Sequence, residues 1–333
     1  VVPFRPMDFS PANVQEIMCA LEKVSRTNAE ESPASATEVA LFTSRQSNYY
    51  RAYDKRYAAL FLQALRSYFL PYTAVPIHEY FLEDFERIPH DYKVYLFPDA
   101  NFVPAGMRAS MRARLERAGA TAVWFYAPGY LDENGASVAN MEDLTGMRLG
   151  MNATRSGYLM VGYDAYSHPI LQGLESQGGY GSDMPVEFFQ STQEWLAWPL
   201  KKREEYQFSP FFFCDDSAAA VLGTLRGSSM PGLAIKQAGG MTSIFSAAPC
   251  PPPELLRNIF RHAGVHLYSD HADIVYANQR YVTLCCRKGG KKTLRLPRPV
   301  DVYDALDGRL LARQADRYTF MAQDKQVDIF RLA

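Results

Sequence analysis

The chain has 333 residues, and at roughly 150 residues per domain this length predicts about two domains with sizeable cores. Its 35 Lys and Arg against 36 Asp and Glu give a net charge of -1, which provides no basic field for nucleic acid or an anionic membrane surface. The hydrophobic fraction of 47% is ordinary for a globular protein, whereas the aromatic fraction of 13% is high. Aromatic richness is typical of carbohydrate-contacting surfaces, broad cores and subunit interfaces alike.

The start of the chain, VVPFRPMDFSPANVQ, has neither the basic nor the apolar region of a signal peptide. The sequence also lacks an apolar run long enough for a membrane span. Five cysteines without a C-x-x-C pair predict reduced core thiols rather than a disulfide framework. We therefore expect a soluble, cytoplasmic protein. Because the chain begins at Val1 rather than Met, we expect a processed chain or a piece of a longer one.

The first predicted region is residues 1–36, a helix and a linker. SPANVQEIMCALEKVSR has apolar residues at helical spacing, with Ser10 as N-cap and Pro11 in the first turn, and the polar TNAEESPASAT follows. From residue 37 the sequence pattern changes to short apolar runs that alternate with amphipathic helical patterns. Predicted strands are EVALFT, PYTAVPI, YKVYLFP and TAVWFYAP, and predicted helices are YDKRYAALFLQALRSYF and GMRASMRARLERAG. This alternation predicts an α/β domain with a mostly parallel sheet flanked by helices, which binds ligands at its carboxyl edge.

In the second half of the α/β domain, residues 131–207 are interpreted as strands and loops added to the core. After them, predicted strands and helices alternate again. SPFFFCDD is predicted as a strand, SAAAVLGTL as a helix, GLAIKQ and MTSIFSA as two strands joined by a turn, and PELLRNIFRHAG as the closing helix. These assignments define an α/β domain over residues 37–268. Residues 269–333 read as short strands separated by turn residues, which predicts a small antiparallel β domain, either a sandwich or a half-barrel.

The turn after TAVWFY is where a hydrolase of this fold class would place its nucleophile. The residues there, Ala127 to Tyr130, include no Ser or Cys, so no nucleophile is expected. Tyr130 and the nearby Glu133 remain candidate ligand-binding residues at this edge. For Glu133, a solvated polar turn is the simpler interpretation.

Acidic residues follow two other predicted strands. Asp99 and Asn101 come after YKVYLFP, where they either bind a sugar hydroxyl or form an Asx turn that starts the next helix, and we favour the turn. The pair Asp215 and Asp216 follows FFFC, where one of them either serves as a metal ligand or general acid or caps the helix predicted over SAAAVLGTL, and we favour the cap.

Trp195 and Trp198 are the remaining ligand-binding candidates, since either ring could stack on a pyranose. The six His residues have no convincing metal-ligand spacing, and no glycine-rich phosphate motif follows a strand. We therefore expect neither a metal nor a cofactor.

The order of these segments resembles the non-barrel portion of family 42 β-galactosidases, over about residues 10–333. The resemblance is carried by EVALFTSRQSNYYRAYDKRYAALFLQALR, YKVYLFPDANFVPAGMRASMRARLERAGATAVWFYAPGYLDENG, FFFCDDSAAAVLGTLRGSSMPGLAIKQAGGMTSIFSAAPCPPPELLRNIFRHAGVHLY and VDVYDALDGRLL. In that family a catalytic barrel is followed by an α/β domain similar to class I glutamine amidotransferases, which serves in trimerisation, and then by a small β domain. The resemblance thus implies a flavodoxin-like, amidotransferase-like sheet followed by an antiparallel β-sandwich.

The resemblance also implies what this chain lacks. The family's catalytic glutamates lie in the barrel, and the turn Ala127-Pro128-Gly129 has no amidotransferase-like Cys, so no catalytic residue is carried over. The function we expect is assembly and support of a carbohydrate-active site, with self-association, as a trimer by resemblance, and no nucleic-acid or membrane partner. The alternatives are a stand-alone hydrolase using Asp99, Glu133 or Asp215, and a sugar-binding module.

Overall fold

The structure, a computed structural model, describes residues 11–31, 33–50, 62, 65–153, 159–181 and 208–333. They form two compact units, one of Thr37–Leu267 and the other of Tyr268–Ala333 together with the described part of Val1–Ala36. No helix among these residues is long and apolar enough to cross a membrane. The predicted helix over residues 53–69 and the predicted N-cap Ser10 lie largely outside the described residues.

The helices are few and mostly short. In chain order they are α1 (Pro11–Glu31), α2 (Ser47–Tyr50), α3 (Ala105–Arg117), α4 (Val138–Thr145) and α5 (Pro253–His262). A π-helix (Leu65–Phe69) and three 3-10 segments (Pro71–Thr73, Leu82–Arg87 and Pro169–Leu171) add single turns.

The α/β unit is built on a nine-stranded sheet in the order β2-β1-β3-β4-β13-β12-β11-β8-β9. Its strands are β1 (Val39–Thr43), β2 (Ile77–Phe81), β3 (Val94–Phe97), β4 (Thr121–Phe125), β8 (Met160–Tyr163), β9 (Gly179–Gly181), β11 (Ala220–Leu225), β12 (Pro231–Ala238) and β13 (Met241–Ser246). Small two-stranded sheets are formed by β5 (Leu131–Asp132) with β6 (Gly135–Ala136), and by β7 (Leu149–Asn152) with β10 (Phe211–Cys214).

The large sheet is mixed, which corrects the prediction of a mostly parallel one. The neighbours from β2 to β13 are parallel, whereas those from β13 to β9 are antiparallel. Every residue of β1, β3 and β4 is buried, as expected for parallel strands covered on both faces. In this core the ring of Trp124 stacks on Phe97 at 4.3 Å, and its indole N–H donates to Ser243 Oγ at 3.1 Å.

Two predicted elements of the α/β unit are wrong. SAAAVLGTL is not a helix, because Ala220–Leu225 forms strand β11 between β8 and β12. There the backbones come so close that a Cβ on Gly223 would lie 2.4 Å from the carbonyl oxygen of Gly162. PYTAVPI is not a strand either, since Pro71–Thr73 forms a 3-10 turn and the strand begins only at Ile77.

The second unit contains a five-stranded antiparallel sheet in the order β14-β15-β18-β16-β17. Its strands are β14 (Ile274–Ala277), β15 (Tyr281–Cys285), β16 (Gly290–Asp304), β17 (Leu310–Ala322) and β18 (Val327–Leu332). Within the described residues these strands form one sheet rather than the two packed sheets of the predicted sandwich. The prediction of short strands is wrong for β16, which is one strand of 15 residues whose pairing with β17 shifts in register between Arg295 and Val300.

Residues of the N-terminal segment contact this second sheet. Ser35 forms an antiparallel bridge with Asn278, and the Asn278 side-chain amide donates to Asn28 Oδ1 at 2.8 Å. Arg280 adds an ion pair with Glu31 at 3.3 Å. The end of α1 therefore packs with the C-terminal strands, which the sequence did not indicate.

Candidate functional site

The loops that follow the parallel strands meet at the carboxyl edge of the large sheet, where ligands bind in open α/β sheets. Ser44 follows β1, Glu83 follows β2, Asp99 and Asn101 follow β3, and Tyr126 follows β4. The parallel half of the sheet therefore brings the sequence-predicted Asp99 and Asn101 to one edge, together with residues that the sequence did not single out.

Asp99 holds the neighbouring loop in place. Its side chain is 1% exposed, and Oδ1 accepts a hydrogen bond from the backbone N–H of Ser44 at 3.0 Å. The Ser44 hydroxyl in turn donates to Glu83 Oε1 at 3.1 Å, and the N–H of Gln46 donates to the same oxygen at 2.8 Å. Asp99 thus binds the backbone of the loop after the neighbouring strand β1, a contact that the predicted Asx turn did not include.

Ser47 joins the loop after β1 to the loop after β3. It is 0% exposed, and its Oγ accepts from the backbone N–H groups of Asn101 at 3.1 Å and Phe102 at 3.0 Å. Its own N–H donates to Ser44 Oγ at 2.9 Å. Together with Asp99 and Glu83, the two serines form a hydrogen-bond network that fixes the edge.

Two side-chain oxygens of this edge have no hydrogen-bond donor among the described residues. They are Oδ1 of Asn101, a residue that is 8% exposed, and Oε2 of Glu83. Arg45 forms an ion pair with Glu83, with its Nε 3.6 Å from Oε2. A buried acceptor without a donor costs free energy, so these atoms mark the part of the edge that is least satisfied by the chain itself.

The turn after β4, called the elbow below, is where a hydrolase of this fold class would place its nucleophile, and its strained residue is Tyr126. This tyrosine has φ of 62°, an uncommon value for a bulky side chain. Its hydroxyl donates to the carbonyl oxygen of Pro210 at 2.6 Å, and burial, reinforced by Tyr130, raises the pKa of the phenol. The elbow thus begins one residue before the predicted turn and carries a neutral phenol that is already bonded.

Tyr130 and Glu133 lie further along the same connection and have structural contacts. The Tyr130 hydroxyl is 3.2 Å from Met151 Sδ, and its ring centroid is 4.9 Å from that of Phe212. Glu133 Oε2 accepts from the N–H of Ala105 at 3.1 Å, at the first residue of α3. A carboxylate at that position stabilises the helix N-terminus, which defines the role of Glu133 more sharply than a solvated turn.

Asp215 lies apart from these loops, at the end of β10 in a separate two-stranded sheet. Its side chain is 62% exposed, and its carbonyl oxygen accepts from Arg148 Nε at 2.5 Å. The expected helix cap is wrong because strand β11 follows. Its neighbour Asp216 instead accepts from Ala218 N–H at 3.0 Å in a turn and from Lys236 Nζ at 2.6 Å.

The remaining candidates, Trp195 and Trp198, lie outside the described residues. Among the described residues, no group of three or more His, Cys, Asp or Glu side chains could hold a metal ion. Sequence reasoning missed Ser44, Ser47 and Glu83. For Glu83 a signal existed, since an acid follows IHEYFL, but placing the strand too early concealed it.

No protein-family profile and no curated protein matches the chain. Several solved structures, however, are similar to it. Gan42B, a GH42 β-galactosidase from G. stearothermophilus, is 17% identical with a TM-score of 0.56, and the match covers 89% of this chain and 40% of that one. The β-galactosidase from Bacillus circulans sp. alkalophilus is 14% identical with a TM-score of 0.55, over 90% and 42% of the two chains.

A β-galactosidase from Rahnella sp. R3 gives 13% identity and a TM-score of 0.53, over 89% of this chain and 41% of that one. The chain thus spans about two-fifths of the length of these proteins. At such identities the likeness shows the fold alone. The predicted resemblance is confirmed at that level: this chain has the fold of a part of the GH42 β-galactosidases.

Proposed function

We propose that this chain is a non-catalytic region of a β-galactosidase-like glycoside hydrolase of carbohydrate metabolism, where it supports assembly and the active site. The observation that carries this proposal is that the candidate acids and the tyrosine at the carboxyl edge already form structural contacts within the chain. Asp99 binds a backbone N–H, Glu133 caps a helix, and the elbow residue Tyr126 donates its proton to a carbonyl oxygen. Hydrolysis of a glycoside needs two carboxyl groups positioned on either side of the bond, and these acids are held in other roles.

The finer fold assignment belongs to the same proposal. We propose a flavodoxin-like, class I glutamine amidotransferase-like ancestry for the α/β unit. The parallel series β2-β1-β3-β4-β13 and the strained turn at Tyr126 support it. A cytoplasmic location remains a prediction from the sequence.

The assembly we propose is self-association, with a trimer as the state that the resemblance implies. Exposed aromatic side chains near the carboxyl ends of β1 and β2 support it. Tyr49 is 84% exposed, Phe81 is 44% exposed, and the Arg45 guanidinium lies 4.2 Å from the Phe81 ring centroid. Tyrosine, phenylalanine and arginine are enriched at subunit interfaces. The net charge of -1 adds little repulsion between copies.

The purified chain tests the proposal in two measurements. Light scattering coupled to size exclusion should give a multiple of the 37.6 kDa monomer mass, and nitrophenyl β-galactoside should not be hydrolysed. A monomer at micromolar concentration would contradict the assembly role. Turnover that disappears in Asp99→Asn or Glu133→Gln would contradict the non-catalytic role and establish the stand-alone hydrolase instead.

A further inference from the structure

We propose that Asn134 is a site of spontaneous deamidation, and that its conversion to isoaspartate loosens the hairpin that holds Asp132 and Glu133 in place. Asn134-Gly135 is the single Asn-Gly pair in the 333 residues. Glycine lacks the side chain that otherwise hinders attack by its backbone nitrogen on the preceding asparagine. The chemistry belongs to one turn and does not depend on the supporting role proposed above.

The pair lies at the tip of the β5–β6 hairpin, where both residues are exposed. Asp132 pairs with Gly135, which leaves Glu133 and Asn134 as the loop. Gly135 has φ of 123°, and a Cβ added to it would meet no atom within 4 Å. In the part of the chain that the structure describes, no residue binds the side-chain amide of Asn134. The electrophilic carbon of this amide is therefore open to attack.

The reaction needs no partner other than water and hydroxide. The Gly135 nitrogen gives its proton to hydroxide and bonds to Asn134 Cγ. The bond from Cγ to the side-chain nitrogen breaks, and this nitrogen takes a proton from water and leaves as ammonia. Water then opens the cyclic succinimide at either of its carbonyl carbons, which gives aspartate or isoaspartate at position 134. Asparagine is one of the thermolabile residues of proteins for this reason.

Asp132 restrains the attacking nitrogen. Its Oδ1 accepts from the N–H of Asn134 at 2.8 Å, and its carboxylate also accepts from the N–H of Gly135. The bond from Asn134, followed by Arg108 and the bond from Gly135, lowers the pKa of Asp132 despite burial, so the carboxylate is ionised at neutral pH. An N–H that donates to a carboxylate gives up its proton less readily. The native turn should therefore deamidate more slowly than the same sequence in an unfolded chain.

Isoaspartate carries the main chain through an extra methylene group, which changes the length of a loop that sets the pairing of β5 with β6. At one end of this loop, Asp132 Oδ2 accepts from Arg108 Nη1 at 3.0 Å, and the two side chains are 4% and 8% exposed. Beside it, Glu133 Oε2 accepts from the N–H of Ala105 at 3.1 Å, at the start of α3. The modification thus weakens a buried ion pair and a helix cap together.

Peptide mapping by mass spectrometry on the full chain, aged at mildly alkaline pH, tests this site against a synthetic peptide of residues 130–138. We expect Asn134 to convert at a rate proportional to hydroxide concentration, about two- to tenfold more slowly than in the peptide, the factor for one hydrogen bond. Labelling with an isoaspartyl methyltransferase detects the isoaspartate. Asn140 is the internal control and should stay unchanged, because it precedes the buried Met141 within α4.

Complete conversion should lower the melting temperature by about 2–4 °C, the shift that loss of one helix cap gives in a domain of this size. Asn134→Gln, whose longer side chain closes the ring far more slowly, should remove both the modification and the shift. Three results would overturn the inference: an intact Asn134 in the folded chain once the peptide has converted, equal conversion at Asn140, or an equal shift in Asn134→Gln. Neither oligomeric state nor glycoside turnover enters this test, so its failure is distinguishable from a failure of the proposed function.

Discussion

Removing the Ser47 hydroxyl should disrupt the hydrogen-bond network of the carboxyl edge more than any surface change at the same edge. In Ser47→Ala, the N–H of Phe102 loses its acceptor in a position where Ser47 itself is 0% exposed, whereas the N–H of Asn101 keeps the carbonyl oxygen of Asp99 at 2.7 Å. An unsatisfied buried donor costs about 1–3 kcal/mol, so this substitution should lower the free energy of unfolding of the α/β unit by about 2 kcal/mol. Urea denaturation followed by fluorescence measures this loss.

Ser137→Ala provides the matched control. Ser137 Oγ accepts a single N–H, that of Ala139 at 3.1 Å, at the partly exposed start of α4, and loss of such a cap costs about 1 kcal/mol. Hydrogen exchange at the amide of Phe102 should accelerate in Ser47→Ala and stay unchanged in Ser137→Ala. If Ser47→Ala costs no more than Ser137→Ala, the network does not stabilise the edge and the reasoning fails.

Three further predictions concern other buried polar groups. Asn101→Leu should leave the unfolding free energy unchanged or raise it by about 1 kcal/mol, because the oxygen it removes has no donor; a loss above that size in denaturation would reveal a partner. Burial tends to raise the pKa of Asp216, but hydrogen bonds from Lys236 and two backbone N–H groups outweigh it and lower the pKa to about 2 from 3.8. The resulting stability is present above about pH 4 and should be lost as the pH falls toward 2, and Lys236→Met should flatten this part of an acid-unfolding curve. Lys292→Met leaves Asp273, which is 0% exposed, without its ion pair at 2.7 Å and should cost about 3 kcal/mol by chemical denaturation, whereas no measurable loss would show that the pair is dispensable.

The parallel half of the sheet could be predicted because its signal is local. EVALFT, YKVYLFP and TAVWFYAP are short apolar runs that contain β1, β3 and β4, and every residue of these three strands is buried. In the antiparallel half, the hairpin of β12 and β13 could also be predicted, from GLAIKQ and MTSIFSA, whereas β11 could not. The run SAAAVLGTL has residues that suit a helix, yet it pairs with β8, some 60 residues earlier, and Gly223 allows that close approach.

The candidate site was likewise predictable only in part. That Asp99 and Asn101 lie at the carboxyl edge followed from their positions after a strand, and the structure places them there. The hydrogen-bond partners of Asp99 and Asn101 could not be predicted from the sequence. The donor to Asp99, for example, is the N–H of Ser44, which lies in the loop after another strand. Sequence adjacency gives no information on which oxygen is satisfied, so the unpartnered atom of Asn101 emerged only from the three-dimensional contacts.

The strain at Tyr126 argues for structure rather than chemistry at the elbow. A bulky residue with φ of 62° persists only where its surroundings determine it, and here they do: its N–H donates to Ser246 at 2.9 Å and its hydroxyl to Pro210 at 2.6 Å. Its ring also packs at 5.2 Å from Phe208 and 5.5 Å from Phe212. In an enzyme the same turn would leave a reactive side chain free beside backbone donors. Here the strained residue instead joins the segment around Pro210 to the end of β4, so the turn serves as a structural anchor.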